Sequence, residues 1–219
     1  MPRHPRIVLP NIAHHVTQRG NYRQTVFQRK TDFEKYCEWF KSCAERYGLK
    51  TYAYCLMTNH VHFIVVPKTE DTLARVFNTL HMMYAQYINK RRRAAGHLWQ
   101  GRFFSCLLDE AHLYRAIRYV EQNPVRAKIV DQAWDYEWSS AREHVGGKRG
   151  LIPLSKTFEM TAGEWKEYLK EYDEEMTNEI RLKTQRGLAI GTEQFLEEIE
   201  NKLNRSLVCL NPGRPKKEA

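Results

Sequence analysis

The segment YCLMTNHVHFIVVP (residues 54–67) places two histidines in a run that otherwise has the composition of a buried strand. Side chains alternate between the two faces of a strand, so His60 and His62 leave the same face with Cα atoms about 6.5–7 Å apart. Val61 and Phe63 point the other way, toward a core. Since two imidazoles at this separation can share one cation, the strand predicts metal chemistry as well as a fold.

The secondary structure around this strand follows from hydrophobic periodicity and capping residues. The β-rich runs at 50–57 and 60–67 predict an antiparallel hairpin. The other predictions are a strand at 7–19, helices at 31–47, 73–93 and 110–123, and a strand at 103–108. The order β-α-β-β-α-β-α is typical of an α+β fold with a ferredoxin-like antiparallel sheet and helices on one face. The first and third strands are then central neighbours, which places the histidine pair in the middle of the sheet.

The composition changes after about residue 130, and we expect three parts. A domain at 1–150 is followed by a helical extension at 151–205 and a basic tail at 206–219. Thr161 and Glu164 form a capping box that predicts an acidic amphipathic helix to about Lys183, and another helix starts near Gly191. Periodicity leaves open whether these helices pack on the first domain or dimerise.

The tail is polar, rich in proline and glycine, and predicted to be disordered. Its segment GRPKK (213–217) is similar to half of an AT-hook, although Pro212 stands where that motif has an arginine. This departure favours a nonspecific electrostatic tail.

The formal net charge is +9, and the first 130 residues hold 21 of the 35 Lys and Arg but 9 of the 26 Asp and Glu. A cationic surface around the histidine pair predicts a polyanionic partner such as nucleic acid. No apolar run reaches the length of a membrane span, and the N-terminal residues lack a signal-peptide core. The five cysteines form no C-x-x-C pair, which favours reduced thiols and a cytoplasmic, nucleoid-associated protein.

Tyr119 and Asn123 lie four residues apart in the last predicted helix of the basic half and share one of its faces. Asn123 can offer an amide oxygen to a metal ion that is also bound by His60 and His62. These three ligands leave positions on an octahedral Mg²⁺ or Mn²⁺ open for water and phosphate oxygens. A closed structural zinc site is disfavoured because no thiolate has suitable spacing.

Several motifs together resemble one known family. The trio His60-Val61-His62 is similar to the HUH motif of single-strand DNA nucleases, and YVEQNPVRA (119–127) is similar to the nucleophile helix of the REP-associated tyrosine transposases. The segments NIAHHVTQRGN, GRFFSCLLD and WDYEWSS also fit that family. The resemblance spans roughly residues 7–145.

The resemblance implies a transesterification. The oxygen of Tyr119 would attack a DNA phosphodiester to give a 5′-phosphotyrosine and a free 3′-OH, and a later 3′-OH would reverse the step. A free phenol is a poor nucleophile at neutral pH, so a cation that polarises the phosphate is needed. The expected substrate is single-stranded or hairpin-forming repeat DNA, and the protein works as a monomer or a homodimer.

Candidate DNA-binding residues surround this proposed site in the sequence. Trp99 is either a platform for base stacking or a loop anchor, and His14 and His15 are expected to approach the site from the first strand. The cationic candidates are Arg91, Arg92, Arg93, Arg102, Arg115, Arg118 and Arg126.

Other readings of these residues stay open. The histidines could be ordinary polar residues, Tyr119 a core aromatic whose hydroxyl bonds a backbone group, Asn123 a helix terminator, and the arginines surface charges. Tyr114 is the rival nucleophile, about 140° around the helix from Tyr119. At the level of the molecule, the alternatives are a domesticated, non-catalytic DNA-binding protein or repressor on the same fold, and an ordinary metallohydrolase.

Overall fold

The computed structural model describes residues 6–156, 159–204 and 206. Strands and helices alternate through the first half of the chain, and helices predominate in the second half. The strands are β1 Ala13–Arg19, β2 Leu49–Met57, β3 His60–Pro67, β4 Phe104–Leu108 and β5 Ala189–Ile190. The helices are α1 Lys30–Tyr47, α2 Thr72–Arg92, α3 Glu110–Glu121, α4 Asn123–Arg126, α5 Ala141–His144, α6 Ala162–Tyr168, α7 Glu174–Arg186 and α8 Glu193–Leu203.

The five strands form one sheet in the order β2-β3-β1-β4-β5. The first four are antiparallel neighbours, whereas β5 pairs with β4 in parallel. The predicted order of elements and the central pairing of the first and third strands are therefore confirmed. In the register of that pair, His62 lies opposite Thr17 and His60 lies opposite Arg19.

Both faces of the sheet are covered, which corrects the prediction that the helices lie on one face. Helices α1 and α2 pack on the face of Val61 and Phe63, where the Phe63 ring stacks on Phe40 with centroids 4.4 Å apart. Helix α3 packs on the opposite face, against Ile64 and Val66. The alternation of β3 explains this, because its even-numbered positions are also apolar beyond the two histidines and need their own cover.

Helix α1 shows how local sequence sets the boundaries of an element. At its start, a carboxylate oxygen of the buried Asp32 accepts hydrogen bonds from the backbone amides of Gln28 and Arg29. At its end, Gly48 adopts a left-handed conformation with φ of 72°. Glycine reaches this conformation without the steric penalty of a Cβ atom, so it ends the helix and allows β2 to begin immediately.

The helix predicted from Thr161 to about Lys183 is interrupted, since α6 ends at Tyr168 and α7 begins at Glu174. The side chain of Gln122 donates to the backbone carbonyls of Leu169 and Glu171, at 2.8 and 2.6 Å, and these bonds hold the connection against α3. Asp173 then caps the new helix by accepting from the Met176 amide at 2.9 Å. The amphipathic pattern continues across the break, so periodicity alone did not reveal it.

The helices after residue 160 pack on the sheet domain. Trp165 of α6 is buried against α3 and donates to Glu121 at 2.9 Å, while β5 extends the sheet and α7 lies against β4. The division of the chain at 1–150, 151–205 and 206–219 stays a prediction. Most of the predicted tail, residues 207–219 with its AT-hook-like segment, lies outside the described residues.

Two predictions from composition can be compared with the described part of the chain. Cys37, Cys43, Cys55 and Cys106 are buried free thiols, as expected, and Cys209 lies outside the described ranges. Burial raises the pKa of Cys37 and of Cys106 to about 12. None of the helices within the described ranges combines the length and apolar character needed to cross a membrane.

Candidate active site

A cavity of about 1060 Å³ opens on the sheet face that carries the even-numbered side chains of β3. Strands β1 and β3 form its floor, the end of α3 and the following turn α4 form one wall, and α7 forms another. Four of the sequence-predicted site residues meet here: His60, His62, Tyr119 and Asn123. Arg126 joins them, so the cavity brings together all the predicted metal ligands, the predicted nucleophile and one predicted DNA-binding arginine.

The two histidines of β3 do share one face, as the alternation predicted. Their ring centroids lie 5.0 Å apart and the rings are nearly perpendicular, at 84°. Nδ1 of His60 lies 2.6 Å from the side-chain oxygen of Asn59, and Nδ1 of His62 lies 2.8 Å from Nε2 of His15. Each ring therefore uses Nδ1 within the protein, and Nε2 is the nitrogen left to bind a ligand.

The electrostatic surroundings keep both imidazoles neutral. Burial, with contributions from Arg19 and Arg126, lowers the pKa of His60 to about 3. Burial and then the adjacent His60 lower the pKa of His62 well below its usual value. Neutral imidazole is the form that binds metal ions, so the pair is ready to coordinate at neutral pH.

Tyr119 stands over the histidines from α3. Its ring makes edge-on contacts with His15 and His62, with centroid distances of 5.6 and 5.7 Å. The Tyr119 ring is 5% exposed and belongs to the core on this face, but its hydroxyl has no hydrogen bond to any residue that the structure describes, so a backbone group does not anchor it. Tyr114 instead packs against Trp165 outside the cavity lining, and its hydroxyl accepts from the Glu159 amide at 3.4 Å.

Asn123 is the first residue of the turn α4, which follows α3, and it lines the cavity. Its side-chain nitrogen donates to the carbonyls of Tyr119 and Val120, at 3.2 and 3.0 Å. Two carbonyl acceptors identify that atom as the amide nitrogen and leave the amide oxygen as the free end of the side chain. The side chain of Asn123 therefore bonds the last turn of α3 through its nitrogen and keeps its oxygen available as a ligand.

Arg126 is a cation of the cavity that lies against the Tyr119 ring. Its guanidinium lies 4.4 Å from the centre of the Tyr119 ring, and one nitrogen donates to the Tyr119 carbonyl at 2.8 Å. The other two nitrogens, Nε and Nη1, are buried without a hydrogen-bond partner among the described residues. Burial lowers the pKa of Arg126, but arginine stays charged at any physiological pH. An unpaired buried cation beside a free phenol predicts an anionic ligand.

The residues of the cavity fit a divalent cation with open positions. No group of three or more His, Cys, Asp or Glu side chains in the described ranges is arranged to hold an ion. The donor set offered by His60, His62 and Asn123 is instead two neutral imidazoles and one amide oxygen. Such a set suits Mg²⁺ or Mn²⁺ that completes its octahedron with water and phosphate oxygens.

The predicted basic run at the end of α2 lies away from this cavity. Arg91 pairs with the buried carboxylate of Asp32, and Arg92 donates to the carbonyl of Thr25 at 2.6 Å. Arg91 therefore joins α2 to the start of α1, and Arg92 joins α2 to the loop that precedes α1. Arg93 is exposed, with φ of 52°, and ends the helix.

Trp99 does not form the exposed stacking platform that was one of its two predicted roles. Its indole is 7% exposed, packs against His81 and donates to the His81 carbonyl at 3.0 Å. A base cannot stack on a buried ring, so the structure agrees with the loop-anchor alternative. Arg102, three residues later, is exposed and lies outside the cavity lining.

Arg115 and Arg118 face the extension and not the cavity. Arg118 pairs with Glu171 at 2.6 Å and lies 4.0 Å from the centre of the Tyr168 ring. Arg115 pairs with Asp173 at 2.8 Å. The sequence predicted these arginines near Tyr119 from their spacing along α3. In the structure they point instead toward Glu171 and Asp173, which local spacing does not connect with α3.

The cavity contains residues that sequence reasoning did not single out as site residues. Alternation along β1 would have found two of them, because Thr17 and Arg19 share the face of His15. His14 and His15 were both expected to approach the site; His15 lines the cavity, whereas His14 bonds Leu9 and Ile12 outside the lining. No local sequence pattern predicts that α7 lines the cavity, because this depends on how elements distant in the sequence pack together. The cavity-lining residues added by the structure include Thr17, Arg19, Tyr22, Arg181, Thr184 and Gln185.

Comparisons with known proteins agree with the resemblance in the sequence. Residues 8–123 match the family model described as IS200-like transposase. A protein of Haemophilus influenzae strain Rd described as a REP-associated tyrosine transposase is 25% identical over 117 residues, which cover 48% of this chain and 66% of that relative. The chain thus matches just under two thirds of the relative's length.

The fold also resembles a solved structure of a REP-associated tyrosine transposase bound to a REP hairpin. The TM-score is 0.57 with 19% sequence identity, over 74% of this chain and 94% of that one. At this identity the likeness concerns the fold. The α+β architecture is therefore shared.

Proposed function

This chain belongs to the family of IS200-like transposases, and on that premise we propose that it is a metal-dependent single-strand DNA endonuclease and strand-transferase. It acts through a 5′-phosphotyrosine on hairpin-forming repeat DNA. The observation that carries the proposal is the joint placement of a phenol without a partner, Tyr119, and a guanidinium with two unpartnered nitrogens, Arg126, beside the pair His60 and His62.

The reaction exchanges one phosphodiester for another. The Tyr119 oxygen attacks the scissile phosphorus and loses its proton, the bond between the phosphorus and the 3′ oxygen breaks, and the departing 3′ oxygen takes up a proton. The covalent link keeps the bond energy, so a later 3′-OH can attack the phosphotyrosine and rejoin the strand without ATP. The side chains of Tyr119 and Arg126 already lie in contact, with the ring and guanidinium 4.4 Å apart.

Arg126 supplies positive charge where negative charge develops on the phosphate oxygens. Its Nε and Nη1 are free to donate, and burial strengthens these bonds because little water competes. A Mg²⁺ or Mn²⁺ ion held by His60, His62 and Asn123 would polarise the phosphate and stabilise the same charge. The histidines would hold the ion through Nε2, since each Nδ1 is already bonded within the protein.

Single-stranded or hairpin DNA is the substrate class that we propose. Tyr119 lies on a helix packed over a sheet, so the scissile phosphate must enter the cavity on a flexible, exposed strand. The cations Arg19, Arg126 and Arg181 line its walls, which favours a phosphodiester chain over a neutral ligand. A similar fold in a REP-associated transposase is bound to a REP hairpin, and we propose a repeat hairpin as ligand here too.

A trapped protein–DNA adduct tests the proposal. The full chain is incubated with end-labelled single-stranded hairpin DNA and Mg²⁺ or Mn²⁺, and the mixture is separated under denaturing conditions. We expect an adduct with the wild-type protein and with Tyr114→Phe, and none with Tyr119→Phe. DNA binding without an adduct in the wild type would support the non-catalytic alternative, and undiminished cleavage by Tyr119→Phe would exclude Tyr119 as nucleophile.

A further inference from the structure

Helix α7 reaches the floor of the cavity through one buried side chain. The hydroxyl of Thr184 lies 2.8 Å from Nδ1 of His15, and Nε2 of His15 lies 2.8 Å from Nδ1 of His62. The rings of His15 and His62 are stacked, with centroids 5.1 Å apart and planes within 6°. On its other side the Thr184 hydroxyl lies 3.1 Å from Sγ of Cys106. Four side chains from α7, β1, β3 and β4 thus form one continuous chain of hydrogen bonds.

The hydrogen bonds of this four-residue series can be oriented in two ways, which differ in which atom of each pair is the donor. In the first, Nδ1–H of His62 donates to His15, Nδ1–H of His15 donates to Thr184, and Thr184 donates to Cys106. Nε2 of His62 then carries a lone pair and can bind a metal ion. In the second, Cys106 donates to Thr184 and Thr184 donates to Nδ1 of His15, which leaves the proton of His15 on Nε2 and forces His62 into the Nε2–H form. That form cannot bind a metal ion through Nε2.

Thr184 is the member that allows the first orientation. A hydroxyl can accept a bond from His15 while it donates to another atom, which neither a thiol nor an aliphatic group does well. His15, Thr184 and Cys106 are each 1% exposed, so water does not replace a missing partner. Without an acceptor at position 184, a proton on Nδ1 of His15 would be buried and unpaired, which is costly.

We propose that Thr184 is a positioning residue that accepts a hydrogen bond from Nδ1–H of His15 and so holds His62 as the Nδ1–H tautomer, whose Nε2 lone pair is free to bind a metal ion. The inference rests on the proposed function, because it assigns part of the metal affinity of that same site to the C-terminal extension. The family match ends at residue 123, whereas Thr184 lies 61 positions later. The extension is therefore a part of the reaction centre.

The test combines Mn²⁺ binding with the tautomeric state of the histidines in the full chain. Free Mn²⁺ is titrated by electron paramagnetic resonance, and the imidazole nitrogens of the metal-free protein are assigned by long-range ¹H–¹⁵N NMR. We expect the Nδ1–H tautomer of His62 in the wild type and in Thr184→Ser. In Thr184→Val we expect a shift toward Nε2–H and Mn²⁺ affinity about 10–100-fold weaker, the usual effect of removing a partner behind a metal ligand.

Thr177→Val is the matched control, since Thr177 is a buried threonine of the same helix outside the cavity lining, and its Mn²⁺ affinity should equal that of the wild type. Equal affinity in the wild type and Thr184→Val, with binding abolished by His62→Ala, would overturn this inference alone. Mn²⁺ binding that is absent, or indifferent to His62→Ala, would contradict the proposed metal site as well. If Thr184→Val does not fold, the wild-type tautomer decides, because an Nε2–H form of His62 is incompatible with the inference.

Discussion

Arg126 is the residue whose chemistry is least satisfied by the protein itself, with Nε and Nη1 buried and unpaired in the described structure. We expect Arg126→Gln to slow single-turnover adduct formation about 100-fold, because it removes a charged donor aimed at the phosphate. Arg126→Lys should recover only part of this rate, since lysine keeps the charge but not the planar fork that stacks on Tyr119.

Arg75→Gln is the control for this measurement. It removes the same charge from an exposed position on α2, where Arg75 pairs with Asp71. Its adduct rate should match that of the wild type. An equal loss of rate in both variants would mean that Arg126 acts through the overall charge of the protein and not through a local contact.

Arg91 and Arg93 separate a structural arginine from an exposed one. Arg91→Gln leaves the buried carboxylate of Asp32 without its cation and should lower the free energy of unfolding by about 3 kcal/mol, as measured by chemical denaturation. Arg93→Gln should leave stability nearly unchanged because that side chain is exposed. A loss of stability in Arg93→Gln as large as that in Arg91→Gln would contradict this assignment.

Among individual residues, the sequence correctly placed those whose positions follow from local spacing within one strand or helix. Strand alternation predicted that His60 and His62 share a face, and helical spacing predicted that Tyr119 and Asn123 do. The orientation of Trp99 and Arg118 depends on partners far away in the sequence, and local spacing does not report them. The sequence did not predict the role of Thr184 for the same reason. Its contact with His15 is long-range, and a threonine in an amphipathic helix gives no local signal of such a contact.

Asp173 is the side chain that starts α7, the helix on which Arg181, Thr184 and Gln185 face the cavity. Partial burial works against its ionisation, but the hydrogen bond from the Met176 amide and the pairing with Arg115 hold the pKa of Asp173 below its usual value. A carboxyl with a lowered folded pKa contributes stability above its unfolded pKa of about 3.9, and the contribution is lost as the pH falls through the folded value.

We therefore expect Asp173→Ala to lower the free energy of unfolding by about 1 kcal/mol at neutral pH, in line with the loss of a helix cap. The difference from the wild type should shrink as the pH falls below about 4. Denaturation at several pH values measures it, with the exposed loop residue Asp131→Ala as the control. A difference that is constant with pH would show that the charge of Asp173 plays no part.

The elements of the sheet domain were predictable because each has a strong local signal. The order β1-α1-β2-β3-α2-β4-α3 follows from periodicity, Gly48 and the hairpin residues. The break between α6 and α7 was missed, since the side chains that hold it open come from α3. Strand β5 was missed as well: it has two residues, Ala189 and Ile190, and forms only by pairing with β4.

The whole molecule combines a basic first part and an acidic second part that meet at the cavity. Trp165 is bonded to Glu121, Thr184 to His15, and β5 to β4, so the second part shares buried surfaces with the first. We expect calorimetry of the full chain to show one cooperative unfolding transition, with equal calorimetric and van't Hoff enthalpies. Two separated transitions would indicate that residues 151–205 fold as an independent unit.

Positive charge from distant parts of the chain is gathered around the cavity in which we propose that the DNA binds. The cations Arg19, Arg126 and Arg181 come from β1, α4 and α7, and they line one cavity although they are far apart in the sequence. Composition predicted a polyanionic partner but could not say that the acidic half would add a cation to the site. The fold thus concentrates charge where the proposed reaction needs it.

The identity of the residue that carries the DNA is the most direct test of the central claim. After reaction of the wild-type protein with hairpin DNA and Mn²⁺, the trapped adduct is digested and the modified peptide is sequenced by mass spectrometry. We predict a phosphodiester-linked nucleotide on Tyr119, with its 5′ phosphate bound to the phenol oxygen. A nucleotide on any other residue, Tyr114 or Tyr22 included, would contradict it.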